Sequence, residues 1–532
     1  MKRILKGGIG MMKRAMWTVC LAAMLAGWIS GCAGETIEVV SGTVPPASFP
    51  AGPSYGTSSQ EIASNGGDVS SLATSSTVSP SVSYPAEFPS VSSGTGMTGS
   101  VPAVSGTPVT GSSASSRPAV SSQGSSSSAP AQTSPRTNYA NMKAVWFSYL
   151  DLEEGFTSSK TAAQFREHMG NVLENLKTGF GINTFIFQVR MFGDAMYPSK
   201  YFCWSFYANE NHQDPGYDPL QIVVEECHKR QISIHAWVNP YRGFKTAKVP
   251  DVSADYAFTK WLSDSSKKGD YLVQFGEYWY FNPGVAEVAA LIADGVAEIC
   301  ENYEVDGIHF DDYFYPNNAD NTFDQKAYNR YLSGIGGGTA LSRSAWRMDN
   351  VNRMVGTVYR RIKSINPNIL FGISPQGNVE NCEALGADVT KWVQNAGYVD
   401  YMIPQLYYAT NSDGQGFSHW LDTWNGMVTQ SGIRLYAGLA LYKEQEAHIN
   451  HWHDPYACAD RFSCTSNFVC NGYDWLKTTN NLAAQYRLAL EKNRVQGVAL
   501  YRYGNLFPGN STAQGYQEYR AELSALAAEL KK

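Results

Sequence analysis

From residue 139 onward, short apolar runs alternate with longer segments in which apolar residues recur every three to four positions. The short runs are typical of buried strands, and the longer spacing is typical of amphipathic helices. The pattern predicts eight strands, at Lys143–Leu150, Gly181–Arg190, Ile232–Asn239, within Val305–Pro316, and at Ile369–Ser374, Tyr398–Leu406, Arg434–Leu441 and Gly497–Tyr503. It also predicts helices at Thr161–Thr178, Pro219–Arg230, Val285–Tyr303, Trp346–Ile365, Asn480–Asn493 and Ala513–Lys532.

Eight strand-then-helix units over about 390 residues predict an α/β fold, a (β/α)₈ TIM barrel. The alternative is an open doubly wound sheet, but the chain lacks the glycine-rich strand-to-helix turn that would bind phosphate in such a fold. Two long loops, Tyr241–Pro283 and Lys443–Thr479, interrupt the pattern. The first contains LVQFGEYWYF and is predicted to form a hairpin near the mouth of the barrel, where long loops shape the binding cleft.

The first 31 residues have the pattern of a secretory signal. A basic segment that includes Lys13 and Arg14 precedes the short apolar run Met16–Trp28, which ends in Ile29-Ser30-Gly31-Cys32. This ending resembles a bacterial lipobox, which predicts cleavage before Cys32 and a lipid anchor on its thiol. The alternative is an ordinary signal peptide in which Cys32 is incidental.

Residues 32–138 are rich in Ser, Thr, Pro and Gly and carry almost no charge. Such a segment buries too little apolar surface to offset its chain entropy, so we expect a disordered tether with a reach of roughly 55–60 Å. The predicted organisation is therefore a signal peptide (1–31), a tether (32–138) and one barrel domain (139–532). We expect the protein to be exported, anchored to the bacterial membrane by lipid, and facing the cell wall.

Composition excludes some partners and permits others. The net charge of −6 gives no basic field for nucleic acid. Aromatic residues make up 13% of the chain, which suits carbohydrate binding and equally suits a large core. Seven cysteines follow Cys32, and an odd number leaves at least one thiol unpaired. Cys227 and Cys300 fall in apolar helical patterns and are predicted to be buried thiols.

The segment VDGIHFDDYFYP reads as a buried strand that ends in two carboxylates. Ile308 and Phe310 alternate with His309 and Asp311, so the polar side chains face the other side of the strand. Active sites of parallel barrels form at the C-terminal strand ends, so Asp311 and Asp312 are the candidate catalytic residues. The predicted substrate-binding residues come from the other strand ends: Gln188, Arg190, Asp194, His235, Trp237, Asn239, Arg242, His309, Tyr313, Ser374, Gln405, Tyr407, Tyr408, Tyr501 and Tyr503.

Seven motifs occur in the order found in a known family: VWFSYLDL, FIFQVRMFGDAMYPS, IHAWVNPYRG, DGIHFDDYFYP, FGISPQG, YMIPQLYY and GLALYK. In these motifs the chain resembles the glycosyl-hydrolase-like family 10 (YngK-like) proteins over about Asn141–Asn505. The resemblance implies a (β/α)₈ glycoside hydrolase, and a characterised type in that family acts on peptidoglycan strands stripped of their peptides. The tether and the loop after the seventh strand depart from the family pattern.

Glycosidases ordinarily use two carboxyl groups, but the fifth strand end (ISPQG) supplies none. One solution is substrate assistance, in which the 2-acetamido oxygen of an N-acetyl sugar is the nucleophile. Asp311 would then orient that group, Asp312 would transfer the proton, and Tyr407 or Tyr408 would bind the acetamido group. The alternative is a conventional pair, with Asp311 as nucleophile or base and Asp194 or Glu383 as the distal acid.

Two other classes stay open at this point. A metal-dependent polysaccharide deacetylase is suggested by HFDD and by His448, His451, His453 and Asp454, although the usual His-x-x-x-His is absent. A non-catalytic wall-binding lipoprotein is suggested by the missing acid after the fifth strand. The expectation from the sequence is a glycosidase without cofactor or catalytic metal, whose partners are a cell-wall polysaccharide and the membrane, with no nucleic acid and no protein partner.

Overall fold

The structure is a computed structural model that describes residues 141–152, 160–410, 416–450 and 474–532. The predicted signal peptide, Cys32 and the tether lie outside the described residues. The same holds for His451, His453, Asp454 and the three cysteines at 458, 464 and 470.

Eight parallel strands form a closed barrel, which confirms the predicted (β/α)₈ fold. The barrel strands are β1 (Met142–Phe147), β2 (Thr184–Arg190), β5 (Ser233–Val238), β9 (Gly307–Phe310), β10 (Leu370–Ile373), β11 (Tyr401–Met402), β12 (Arg434–Ala440) and β13 (Val495–Tyr501). Around the barrel their order is β1–β13–β12–β11–β10–β9–β5–β2.

Helices follow the strands and cover the outside of the barrel. They are α1 (Tyr149–Leu152), α2 (Ala162–Phe180), α3 (Pro219–Lys229), α4 (Ala257–Ser263), α5 (Ala286–Asn302), α6 (Gln325–Gly334), α7 (Arg343–Ile365), α8 (Val379–Ala384), α9 (Val389–Gln394), α10 (Phe417–Met427), α11 (Leu441–Asn450), α12 (Asp474–Lys477), α13 (Asn481–Leu490) and α14 (Gln514–Leu530). Short 3₁₀ turns lie at Thr246–Lys248 and Tyr503–Leu506. No helix in the described ranges combines the length and the apolar character needed to cross a bilayer.

Two small sheets accompany the barrel. The strands β6 (Arg242–Lys245), β7 (Leu272–Phe275) and β8 (Tyr278–Phe281) form an antiparallel sheet in which β7 and β8 are the predicted hairpin. The strands β3 (Asp194–Ala195) and β4 (Cys203–Trp204) pair in parallel. Both small sheets follow barrel strands on the chain, so they extend the C-terminal end of the barrel where its polar side chains lie.

Strand alternation separates two apolar layers. Val145 and Phe147 of β1 pack outward against the helices, whereas Ala144 and Trp146 belong to the cluster inside the barrel. In β9, Ile308 and Phe310 likewise pack outward. Large rings fit inside because two glycines make room for them. A Cβ on Gly307 would lie 2.8 Å from the His235 ring, and one on Gly372 would lie 2.0 Å from the Tyr401 ring.

Element lengths differ from the sequence prediction at identifiable residues. The predicted strand Tyr398–Leu406 shortens to Tyr401–Met402, because Pro404 has no N–H for a strand ladder. Helix α7 begins three residues earlier than predicted, since the Ser342 hydroxyl accepts a hydrogen bond from the amide of Ala345 and caps it.

The described cysteines are all unpaired. Cys203, Cys227, Cys300 and Cys382 are free and buried, which confirms the prediction for Cys227 and Cys300. Burial raises the pKa of the Cys203 and Cys300 thiols to about 12, so these thiols stay protonated and unreactive at neutral pH.

Candidate active site

A cavity of about 220 Å³ lies at the C-terminal end of the barrel strands. Its walls come from seven of the eight barrel strands or from the residues that directly follow them; β2 contributes none. The lining residues are Trp146, Trp237, His309, Asp311, Asp312, Tyr313, Ser374, Gln405, Tyr407, Tyr442 and Tyr501. The cavity therefore lies where parallel barrels build their active sites.

The two carboxyl groups of the cavity act on each other. The amide of Asp312 donates a hydrogen bond to Oδ1 of Asp311 at 2.8 Å. Asp311 is buried and Asp312 is partly exposed. Burial and the adjacent charge of Asp312 raise the pKa of the Asp311 carboxyl well above its ordinary value. Two carboxyl groups this close do not both ionise readily, which favours the protonated form of Asp311.

Arg242 supplies the positive charge next to this pair. Its guanidinium lies 4.0 Å from the centroid of the Tyr313 ring and 4.8 Å from that of Phe192. Its charge lowers the pKa of Asp311 and so opposes the effects of burial and of Asp312. Arg242 thus stabilises the charged state that the pair would enter after it has given up its proton.

A chain of neutral hydrogen bonds runs from the cavity wall into the barrel interior. Trp146 Nε1 donates to His309 Nε2 at 3.1 Å; Nδ1 of His309 lies 3.0 Å from the Tyr401 hydroxyl, which lies 2.8 Å from Nδ1 of His235. An indole N–H only donates, so His309 accepts at Nε2 and carries its proton on Nδ1. That proton is donated to the Tyr401 hydroxyl, which donates its own proton to His235.

Both histidines of this chain are uncharged near neutral pH. Burial lowers the pKa of His309 well below its ordinary value and lowers the pKa of His235 to about 4. Neither ring therefore serves as a general acid in the neutral range. Their contribution is to hold Trp146 and Tyr401 in place beneath the carboxyl pair.

Aromatic rings form the wall opposite the carboxyl pair. Strands β9 and β13 lie on opposite sides of the barrel, because four steps separate them in the strand order. Tyr501 of β13 stacks on Tyr407 with a centroid distance of 5.6 Å, and Tyr442 packs edge-on against both rings. Burial raises the pKa of Tyr407 and Tyr501 well above the ordinary value, so both phenols stay neutral.

The structure brings together nine of the residues that the sequence singled out, and each of them lines the cavity. These are Asp311 and Asp312 with Trp237, His309, Tyr313, Ser374, Gln405, Tyr407 and Tyr501. Trp237 Nε1 is buried and has no hydrogen-bond partner among the residues that the structure describes, so its N–H is available to a ligand in the cavity.

The other predicted binding residues lie away from the cavity wall, where most have protein partners. The side-chain oxygen of Gln188 accepts a hydrogen bond from the backbone amide of Tyr149, and the Arg190 guanidinium stacks at 3.8 Å on the Phe202 ring. The Asp194 carboxylate accepts from the backbone amides of Met191 and Phe192, and the Asn239 side chain donates to the carbonyl of Met191. His235 lies in the barrel interior, Arg242 at the rim, Tyr408 beside Trp420, and Tyr503 between Phe147 and Phe507.

Two lining residues were missed by the sequence reading, Trp146 and Tyr442. Trp146 is the last inward-facing residue of β1, and Tyr442 follows β12 directly. Strand alternation at the C-terminal strand ends identifies Asp311. The same rule, applied to the ends of the first and seventh strands, also identifies Trp146 and Tyr442.

Neither distal acid proposed from the sequence lines the cavity. Asp194 is buried, and its carboxylate caps two backbone amides. Glu383 is exposed on the short helix α8. Among the described residues, Asp311 and Asp312 are therefore the two carboxyl groups that a ligand in the cavity can reach. Glu153, Glu154 and Asp413 lie outside the described residues.

Comparison with known proteins gives one family. The model of the family glycosyl hydrolase-like 10 matches residues 141–457. The chain is 32% identical over 338 residues to glycosyl hydrolase YngK of Bacillus subtilis (strain 168), a match that covers 59% of this chain and 63% of that protein. It is 35% identical over 286 residues to glycosyl hydrolase DigH of Escherichia coli (strain K12), covering 50% of this chain and 64% of that protein. The matches thus span less than two thirds of either relative's length.

A solved structure aligns with much of the chain at low identity. The glycoside hydrolase domain of PgaB (BpsB) from Bordetella bronchiseptica aligns with 73% of this chain and 99% of its own, at 9% identity and a TM-score of 0.44.

Proposed function

The chain belongs to the glycosyl hydrolase-like 10 family, and on this premise we propose that it is a glycoside hydrolase that cleaves O-glycosidic bonds in an N-acetylated bacterial cell-wall glycan. The proposed substrate is the peptidoglycan strand, in which both sugars carry an acetamido group. The observation that carries the proposal is the adjacent pair Asp311 and Asp312 in a cavity at the C-terminal strand ends.

The proposed mechanism is substrate assistance. In the first step the acetamido oxygen attacks C1 while the bond from C1 to the leaving oxygen breaks, and the leaving oxygen takes the proton of the carboxyl pair. The adjacent carboxyl groups share that proton, and Asp312, the more exposed member, delivers it. Both carboxyl groups are then anions next to the cyclic oxazolinium intermediate. Water attacks C1 in the second step, reopens the acetamido group and returns a proton to the pair.

Three features support this division of labour. The two carboxyl groups that line the described part of the cavity are adjacent, and no further carboxyl group lines it at a distance from them. The nucleophile would therefore come from the substrate. Burial raises the pKa of the Asp311 carboxyl and so favours a proton on the pair, which an acid catalyst requires. Tyr407 and the free N–H of Trp237 offer neutral donors for an acetamido carbonyl or a sugar hydroxyl.

Replacing the proton donor tests the proposal. Asp312→Asn keeps the shape of the side chain but cannot transfer a proton, so we expect the release of new reducing ends from N-acetylated glycan strands to fall by roughly a hundredfold or more. The matched control is Asp251→Asn, which makes the same change at an exposed position. If Asp312→Asn retains half of the wild-type rate, with a melting temperature near that of the wild type, the assignment is wrong.

We further propose that the protein is exported and anchored through lipid on Cys32, which would hold the catalytic domain near the wall. The basic segment, the short apolar run and the Ser-Gly-Cys ending support this proposal. Cys32→Ser should move the protein from the membrane fraction to the soluble fraction. An unchanged distribution would show that Cys32 does not carry the anchor.

A further inference from the structure

A second cluster of titratable side chains lies on helices α11 and α14. Glu444 and His448 are one turn apart on α11, and Glu522 faces them from α14. All three residues are buried, and their possible ligand atoms lie within 4.8 Å of one another. The glycosidase mechanism uses none of these residues.

The cluster contains carboxylate oxygens without partners. Oε1 of Glu444 accepts from His448 Nε2 at 3.1 Å and from Asn481 Nδ2 at 3.2 Å, while its Oε2 is buried and has no hydrogen-bond partner among the described residues. Oε1 of Glu522 accepts from the amide of Asn480, and its buried Oε2 likewise has no partner in the described part of the chain. A buried carboxylate oxygen without a partner is costly, so these two oxygens indicate a missing positive group.

Acidic groups predominate around the imidazole of the cluster. Nδ1 of His448 also lies 3.3 Å from Oε2 of Glu518, so three glutamates surround one imidazole.

We propose that Glu444, His448 and Glu522 bind a divalent transition-metal ion of the Zn²⁺ class. One imidazole nitrogen with carboxylate oxygens is a donor set that Zn²⁺ accepts, whereas Ca²⁺ and Mg²⁺ prefer oxygen alone. Ligand atoms around Zn²⁺ are about 3.4 Å apart in tetrahedral geometry, so the carboxylates need only a small inward movement.

A path to the cluster exists. His448, Glu518 and Glu522 line a cavity of about 450 Å³, wide enough for a hydrated ion and for a water ligand. The ion would tie the C-terminal helix α14 to α11, whose second residue is Tyr442 of the catalytic cavity wall. The proposed site is therefore structural, and it fixes the helix that carries one wall of the active site.

Zinc binding by the full-length protein tests the site. After treatment with a chelator, wild type should bind one more equivalent of Zn²⁺ in equilibrium dialysis than the double variant Glu444→Gln/Glu522→Gln, and only wild type should gain several degrees in melting temperature on adding zinc. The control Glu446→Gln makes the same change on α11 outside the cluster and should behave as wild type. Equal stoichiometry in wild type and the double variant would overturn the proposal.

A second measurement does not depend on the variants. X-ray absorption at the zinc edge of the wild-type protein with one equivalent bound should show nitrogen and oxygen ligands, with the outer-shell scattering of one imidazole. Sulfur in the first shell would place the ion on cysteines and would overturn the assignment to Glu444, His448 and Glu522.

Discussion

At the scale of single residues, the proton on the carboxyl pair depends on groups that come from different strands. Burial and the charge of Asp312 favour the protonated form of Asp311, whereas Arg242, which follows β5, favours the charged form. The two influences oppose each other, so the pair can hold a proton at rest and release it during turnover. The pH dependence of activity should report this balance.

Removing the positive charge of Arg242 should therefore shift the pH profile. In Arg242→Gln the pKa of Asp311 rises further, so the pair keeps its proton to higher pH and the alkaline limb of kcat/KM moves upward. Lys245→Gln is the control, since Lys245 lies on the same strand and its Nζ lies 5.3 Å from the Tyr278 ring. An alkaline limb that stays in place, or moves to lower pH, would contradict the proposed role of Arg242.

The alternation of inward and outward side chains explains which site residues could be predicted from the sequence. His309 and Asp311 alternate with Ile308 and Phe310, and a strand end therefore predicts the cavity wall. The same rule cannot tell a side chain that lines the cavity from one with a buried protein partner. Gln188 satisfies this pattern as well as His309 does, yet its amide oxygen accepts a hydrogen bond from the backbone amide of Tyr149, which follows the neighbouring strand β1.

At the scale of secondary structure elements, the pairing of α11 with α14 depends on the charge state of its buried glutamates. Burial, with the charge of Glu522, raises the pKa of Glu444 to about 7, above its ordinary value of 4.5. Between these two values the folded protein holds a proton that the unfolded chain has lost. The free energy of unfolding should therefore fall as pH rises from about 4.5 to about 7. The raised pKa of His448 changes stability in the same direction, over the range that begins near 6.5.

The metal-free protein should show this dependence directly. In chelator, the melting temperature of wild type should fall as pH rises through this range, and Glu444→Gln should weaken the fall because a neutral amide has no proton to hold. Glu446→Gln is again the control and should follow wild type. An equally steep fall in Glu444→Gln would mean that other groups cause it. Asn481, Glu518 and Glu522 also face the cluster and are unchanged in both variants.

Sequence periodicity predicted the elements of the barrel but not their lengths. Tyr398–Leu406 has the apolar character of a strand, and only Tyr401–Met402 pair as one, because Pro404 lacks the N–H that a ladder needs. The cluster on α11 and α14 could not be predicted from periodicity either, because its members are far apart along the chain. His448 and Glu522 are 74 residues apart, and only the packing of the last helix brings them together.

At the scale of the whole molecule, the chain combines a glycoside hydrolase barrel with a proposed lipid anchor. The family match and the eight-stranded barrel give the architecture from residue 141 onward. The predicted tether would let the barrel act within roughly 55–60 Å of the membrane. If it is anchored as proposed, an enzyme with this reach would meet long N-acetylated strands, the substrate class that the proposed acetamido nucleophile requires.

The most direct test of the central claim is to digest purified peptidoglycan strands, with and without stem peptides, and to analyse the products by mass spectrometry. The account predicts shorter fragments with new reducing ends and intact acetyl groups, and the terminal sugar would identify the cleaved bond. Strands of unchanged length that have lost acetyl mass would mean a deacetylase. Strands that bind but stay unchanged would mean a wall-binding protein, and either result would contradict the proposed glycosidase.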